Sequence, residues 1–172
     1  MNKRLFFLII LTFFIKNSIG QILTFDEVQN LRTSSLNDVQ NYLAKKNWEM
    51  VGVIKATTEE LGKVVFGYYK DGEGGTITFY VGEFNNLSNR IAIEIYKLAS
   101  FKNYINRLTI LNYKMKDTKI EDEGIETIYQ TKNTTCIVTT KRVKTNDKTN
   151  LPVYRFTFMD NFSNELLQEI NK

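Results

Sequence analysis

Few side chains in this chain are equipped for chemistry. Its 172 residues include no histidine and a single cysteine, Cys136. The commonest general base at neutral pH and the commonest metal ligand are therefore absent, and a Cys–His nucleophilic pair is impossible, while a Ser–Lys pair stays open. Cys136 lies in TTCIVTT, where it aligns with Ile77 of an earlier apolar alternation. It reads as a buried structural thiol, because a reactive thiolate needs a nearby cation and an accessible site. Carboxylates remain. Glu94 sits mid-strand on the polar side of IAIEIY, and acid–base cleavage of a glycosidic bond uses carboxylates in pairs. No second strand carboxylate falls convincingly opposite it, so a small envelope hydrolase built on Glu94 is the alternative reading and no catalytic residue is assigned.

Two turn segments invite ligand readings that their surroundings do not support. DGEGG, residues 71–75, has the glycines of a phosphate loop but lies between two strand patterns. Phosphate loops feed a helix whose N–H groups face the anion, so a hairpin turn with glycine at positive φ is expected instead. EDEG, residues 121–124, with Asp117 nearby, clusters carboxylates without the alternating oxygen ligands of a calcium loop, and reads as a solvated hairpin tip. No metal and no cofactor is assigned.

The elements that must hold these residues follow from periodicity. TFDEVQNL pairs Thr24 as N-cap with Glu27 three residues on, the capping-box arrangement, and puts Phe25, Val28 and Leu31 on one helical face. TSS at 33–35 ends that helix and caps a second, with Leu36, Val39 and Leu43 at helical spacing through Lys46. From Trp48 the period shifts towards two: WEMVGVIKA, KVVFGYYK, TITFYVGEF and RIAIEIYKLA are strand patterns separated by short turns, hence antiparallel. The same order then recurs, with a helix marked by Phe101, Tyr104, Ile105 and Leu108 and four strands in YKMKDTKIE, GIETIYQTK, TTCIVTTKRV and PVYRFTFM. NFSNELLQEINK adds a C-terminal helix with Phe162, Leu166, Leu167 and Ile170 on one stripe, capped by Asn or Ser near position 163.

The recurrence is also literal. SSLNDVQNYLAKKNWEM, residues 34–50, aligns without a gap on ASFKNYINRLTILNYKM, residues 99–115, matching Ser35 with Ser100, Asn47 with Asn112 and Met50 with Met115. The expected fold class is α+β: two tandem α-β-β-β-β repeats, antiparallel sheet with helices packed on one side, and a C-terminal helix. The expected division is a leader over 1–20, a first unit over 21–98 and a second over 99–172.

The leader reading rests on Lys3 and Arg4, an apolar run from Leu5 to Ile15, and Ser18 and Gly20 before Gln21, the layout of a secretory signal peptide cleaved after Gly20. Eleven residues reach about half of the roughly 20 that span a bilayer as a helix. The product is expected to be periplasmic or secreted, without a stable membrane anchor. The chain has 23 Lys+Arg against 19 Asp+Glu, but Lys3, Arg4 and Lys16 belong to the leader, leaving 20 against 19. A nucleic-acid partner is not expected from a balance of +1, since such binders concentrate positive charge. KRVKTNDK, residues 141–148, comes closest and reads as a hydrated loop.

The leader, TFDEVQNL, YLAKKNWEM and NYKMKDTKIEDEGIETIYQTKNTTCIV together resemble a group of secreted proteins of Bacteroidetes, over nearly the whole mature chain. The shared motifs are core and turn residues and imply no activity. In architecture alone the duplicated unit is similar to the β-lactamase inhibitory proteins, whose paired sheets form a concave binding surface; no inhibitory residue carries over. If the apolar strand sets meet the helices, Tyr80, Glu94, Tyr96, Ile137, Thr139, Lys141, Arg155 and Thr157 project from the opposite side. Aromatics and arginine are enriched where proteins bind one another. The expected function is a non-catalytic binding protein, inhibitor-like in layout, whose candidate contact residues are Tyr80, Glu94, Tyr96, Lys141 and Arg155. The expected partner is a protein or glycan of the cell envelope or exterior.

Overall fold

The computed structural model describes residues 22–57, 60–70, 73–81, 90–121, 124–144 and 150–163. Helix α1 spans Phe25–Arg32, α2 Leu36–Lys45 and α3 Leu98–Ile110. The capping box at α1 is formed: the Glu27 N–H donates to Thr24 Oγ1 at 3.3 Å and the Thr24 N–H to Glu27 Oε2 at 2.7 Å. Ser35 caps α2 through its Oγ, which accepts from the Asp38 N–H at 3.2 Å. These side chains satisfy N–H groups that a helix start leaves without partners.

Helices α2 and α3 end alike. Asn47 and Asn112 are the described non-glycine residues at positive φ, 61° and 60°. After each, the next residue donates back into the helix, Trp48 N–H to Leu43 O at 3.0 Å and Tyr113 N–H to Leu108 O at 2.9 Å. Asn47 and Asn112 themselves donate to Ala44 O and Thr109 O at 3.0 Å. This pair of bonds is the Schellman motif, which needs a left-handed residue that asparagine tolerates better than other side chains do. Leu43, Trp48 and Leu108 are buried beneath the turns.

The strands are β1 Glu49–Ile54, β2 Gly62–Lys70, β3 Glu73–Val81, β4 Ile91–Ile95, β5 Lys114–Glu121, β6 Gly124–Gln130, β7 Thr134–Lys144 and β8 Asn150–Asp160. They form one eight-stranded antiparallel sheet in the order β1-β2-β3-β4-β8-β7-β6-β5. Two four-stranded meanders thus join through β4 and β8, where Ile93 pairs with Phe156 and Glu94 with Arg155. The expected α+β class and antiparallel pairing hold. The first strand of each meander carries a bulge, between Met50 and Gly52 in β1 and between Met115 and Asp117 in β5.

The three helices pack on one face. Phe25 of α1 meets Phe158 edge-on with centroids 5.1 Å apart, and Phe101 of α3 stacks on Tyr154 at 4.3 Å. Tyr104 is buried and donates its hydroxyl to Leu23 O at 2.6 Å, tying the segment before α1 to α3. Ile77, Ile93, Phe156 and Phe158 are fully or nearly fully buried beneath the helices, each contributing about 1.5–3 kcal/mol by leaving water.

Three local expectations need correction. Gly74 and Gly75 are not turn residues but part of β3, paired with Tyr69 and Tyr68. Space rather than positive φ requires them: a Cβ at Gly74 would lie 2.9 Å from Tyr69 Cδ1, and one at Gly75 2.7 Å from Glu94 O. The KRVK part of KRVKTNDK is the end of β7, not loop, because Lys141–Lys144 continue the ladder opposite Val153–Asn150. The helical turn that begins at Asn161 is capped by Asp160, whose Oδ1 accepts from the Ser163 N–H at 2.7 Å. The remainder of that helical stripe, Leu166, Leu167 and Ile170, and the leader over 1–20 lie outside the described residues.

The face opposite the helices is buried in part as well. Tyr80, Ala92, Ile128, Val153 and Met159 are buried there apart from the helix-side core, together with Thr135 and Thr157. Ala92 and Thr157 are small residues opposite one another on β4 and β8, with Thr78 and Ile137 as their outer cross-strand neighbours.

Candidate functional site

Strand register places one residue of each strand in a row across this far face: Glu49, Gly67, Thr76, Glu94, Arg155, Thr139, Glu126 and Lys119. Strands lie about 4.8 Å apart, so the row runs about 34 Å. Thr76, Glu94, Arg155, Thr139 and Glu126 are each half-buried, and Glu49 and Lys119 at the ends are exposed. The row is a polar stripe of both charge signs, bordered by the buried row through Ala92 and Thr157.

Its centre is a hydrogen-bonded cluster. Arg155 Nη1 donates to Glu94 Oε1 at 3.0 Å and Nη2 to the Tyr80 hydroxyl at 2.6 Å, while Thr76 Oγ1 donates to Glu94 Oε2 at 3.2 Å. The Arg90 guanidinium lies over the Tyr80 ring, 4.3 Å from its centroid, a cation–π contact that also covers the ring. Burial lowers the pKa of Arg90; the Tyr80 hydroxyl works against that shift and the Arg155 charge adds to it. Arg155 thus bridges the Glu94 carboxylate and the Tyr80 hydroxyl, and Arg90 covers the Tyr80 ring.

All five expected contact residues fall on this face, in four settings. Glu94 and Arg155 pair directly. Tyr80, at 4% exposure, is support for Arg155 and not a contact surface, because Arg90 and Arg155 enclose it. Tyr96 follows β4, half-buried, and shares a hydrogen bond with Tyr69; burial first, then Tyr69 and Glu94, push its hydroxyl up to about 12. Lys141 is half-buried on β7, paired with Val153 and Gly124, one row of the face from Arg155.

The sequence reading missed three members. Thr76 and Arg90 complete the cluster, and Tyr69, 68% exposed, is the most open aromatic on this face among the described residues. Its ring lies against the space left by Gly67 and Gly74. The alternation of KVVFGYYK carries the signal, since Tyr69 shares the parity of Lys63, Val65 and Gly67. Glu94 faces Thr76 and Arg155 across its two neighbouring strands, and neither is a carboxylate. Among the described residues no group of three or more potential metal ligands is found.

No protein-family model, curated protein or solved structure matches this chain. A cleft of about 420 Å³ lies between α1 and α3, lined in part by Thr24, Asp26, Asn103, Tyr104 and Arg107. Its strongest polar groups are already paired: Arg107 grips Asp26 with bonds of 3.1 and 2.8 Å, Tyr104 holds Leu23 O, and Thr24 holds Glu27. These contacts clamp α1 to α3 and leave little to recognise a ligand.

Proposed function

We propose that this chain is a periplasmic or secreted, non-catalytic binding protein that docks a protein partner along the polar row of its far sheet face. The observation that carries the reading is the setting of Arg155. Two fixed partners, Glu94 and Tyr80, hold its guanidinium while its side chain keeps 32% of its surface in water. A pre-organised arginine loses less freedom on binding than a mobile one. Tyr69 supplies an exposed aromatic on the same face, and arginine and tyrosine are the residue types that dominate binding energy at interfaces.

The α-β-β-β-β duplication belongs to the same proposal. Supporting it are the ungapped match of 34–50 with 99–115, the matched Schellman ends at Asn47 and Asn112, and the matched bulges in β1 and β5. Two such units sharing one continuous sheet have the layout of the β-lactamase inhibitory proteins, so the binding proposed is inhibitor-like. Glu94 facing Arg155 and Thr76, not a second carboxylate, favours binding over glycoside hydrolysis.

The test is capture from envelope and culture fractions with the isolated protein, its Arg155→Ala and its Tyr69→Ala variants, folding being checked by circular dichroism. Truncating a true anchor costs at least about 2 kcal/mol of binding, roughly thirtyfold in affinity. A captured protein that binds both folded variants as tightly as the parent overturns the site. Capture of glycan alone overturns the protein-partner reading, and turnover of a glycoside abolished by Glu94→Gln overturns the non-catalytic one.

A further inference from the structure

Part of the far face is covered more deeply than a single sheet can cover itself. Met159 and Thr135, paired across β8 and β7, are 0% exposed, and Ile128 on β6 is 6% exposed. Neighbours within a sheet shield a side chain at its flanks and leave its tip in water, so full burial needs a second layer. Helices α1 to α3 form that layer on the other face, where Phe25 and Phe101 meet Phe158 and Tyr154. The layer over Met159 must come from another part of the chain.

The end of β8 points to which part. Asn161 Oδ1 accepts from the Thr135 hydroxyl at 2.9 Å, and its Nδ2 donates to Thr131 O and Lys132 O at 3.2 and 2.9 Å. These bonds fix the helical turn that begins at Asn161 to the far side of the β6–β7 hairpin, beside Met159. The longer stretches outside the described residues begin elsewhere. Residues 1–21 lead into Leu23, which Tyr104 holds on the helix side; 82–89 join β3 to β4, three strands from Ile128; and 145–149 join the opposite ends of β7 and β8. Residues 164–172, NELLQEINK, follow the turn directly and carry Leu166, Leu167 and Ile170 at the spacing of one helical face. Phe162, 63% exposed, falls at the margin of that face.

We propose that residues 164–172 continue the turn as a helix laid over β8, β7 and β6, with Leu166, Leu167 and Ile170 set on Met159, Ile137 and Ile128. Residues 161–172 reach about 18 Å as a helix, enough to cross the roughly 10 Å from β8 to β6. The charged and amide side chains of the segment then face water. The C-terminus of the chain thereby closes one part of its own sheet face, and the polar row through Arg155 lies beyond the covered part. This covering does not rest on the binding-face proposal.

Thiol labelling of cysteine reporters in the full chain tests this, with peptide mass spectrometry locating the label and circular dichroism checking each fold. Met159→Cys and Ile128→Cys, made singly, are expected to resist a maleimide under native conditions. Adding Leu167→Asp and Ile170→Asp, which places charge in the apolar contact, is expected to speed labelling at either reporter at least about tenfold. Phe162→Asp is expected to leave it unchanged. Cys136, buried on the helix side, stays unlabelled unless the whole chain unfolds. Should the aspartates unfold it, Leu167→Ala with Ile170→Ala decides in their place; should Met159→Cys fail to fold, Ile128→Cys alone reports. Rapid labelling of a folded reporter in the otherwise unchanged chain, or labelling that no folded pair accelerates, overturns the proposal.

Discussion

Asn47 and Asn112, 65 positions apart, close α2 and α3 in the same left-handed conformation, with φ of 61° and 60°. Each accepts the strain that lets the chain turn from helix into the first strand of a meander. Replacing either with alanine is expected to cost about 1 kcal/mol, because a Cβ without asparagine's local hydrogen bonding is disfavoured there; glycine at either site is expected to be neutral or better. Urea denaturation of the four variants checks this. Matched behaviour at the two sites supports the duplication, and a large effect at one site with none at the other counts against it.

Glu27 holds α1 to α2. Burial alone would raise its pKa, but Lys46, the Tyr42 hydroxyl and the backbone and hydroxyl of Thr24 together bring it from 4.5 down to about 2. The folded chain therefore binds this proton less tightly than the unfolded chain. The stabilisation is complete above about 4.5 and is lost as pH falls through about 2. Glu27→Gln is expected to lower stability at neutral pH by about 1.5–3 kcal/mol, the range for hydrogen bonds to a charged group, and to flatten the stability profile between those two pH values. Thermal melts across that range measure both.

Cys136 is fully buried, and burial pushes its thiol well above the ordinary value. A thiol reagent is expected to leave the native protein unmodified and to label it only as it unfolds, so labelling rates should track denaturant concentration. Cys136→Ser, which buries a hydroxyl among Phe158, Tyr129 and their neighbours, is expected to cost about 1–3 kcal/mol. Rapid native labelling would contradict the placement.

Gly75 has no room for a side chain, since a Cβ would sit 2.7 Å from Glu94 O. Gly75→Ala is expected to push β3 from β4 beside Glu94 and to cost about 1–3 kcal/mol, as overpacking does. Gly52→Ala, whose Cβ meets only Val65 Cβ at 3.9 Å, is expected to fold as the parent does. Comparing their urea midpoints separates close approach from general loss of glycine.

Much of the fold was open to reading in the residues because its signals are local. Thr24 with Glu27 specifies a capping box from a spacing of three, and the alternation around Ile77 and Ile93 specifies which side chains share a face. Where a signal was ambiguous, space resolved it: DGEGG looked like turn until Tyr69 and the Glu94 carbonyl explained Gly74 and Gly75. Tyr80 shows the limit at the site. Alternation puts it on the far face, but that it is enclosed depends on Arg90, ten residues away, and Arg155, seventy-five away.

The sequence alone determined the antiparallel α+β class, the starts of α1 and α2, the strand faces and the internal echo, since each depends on contacts within a few residues or on a period of two or 3.6. Only the tertiary structure decided that β4 meets β8. Nothing in IAIEIY or PVYRFTFM names the other as its neighbour, yet that pairing makes one sheet, sets Glu94 against Arg155 and lines up the polar row. Register between strands sixty residues apart is chosen by burying Ile91, Ile93 and Ile95 with Phe158, Phe156 and Tyr154, a collective choice among all apolar surfaces at once.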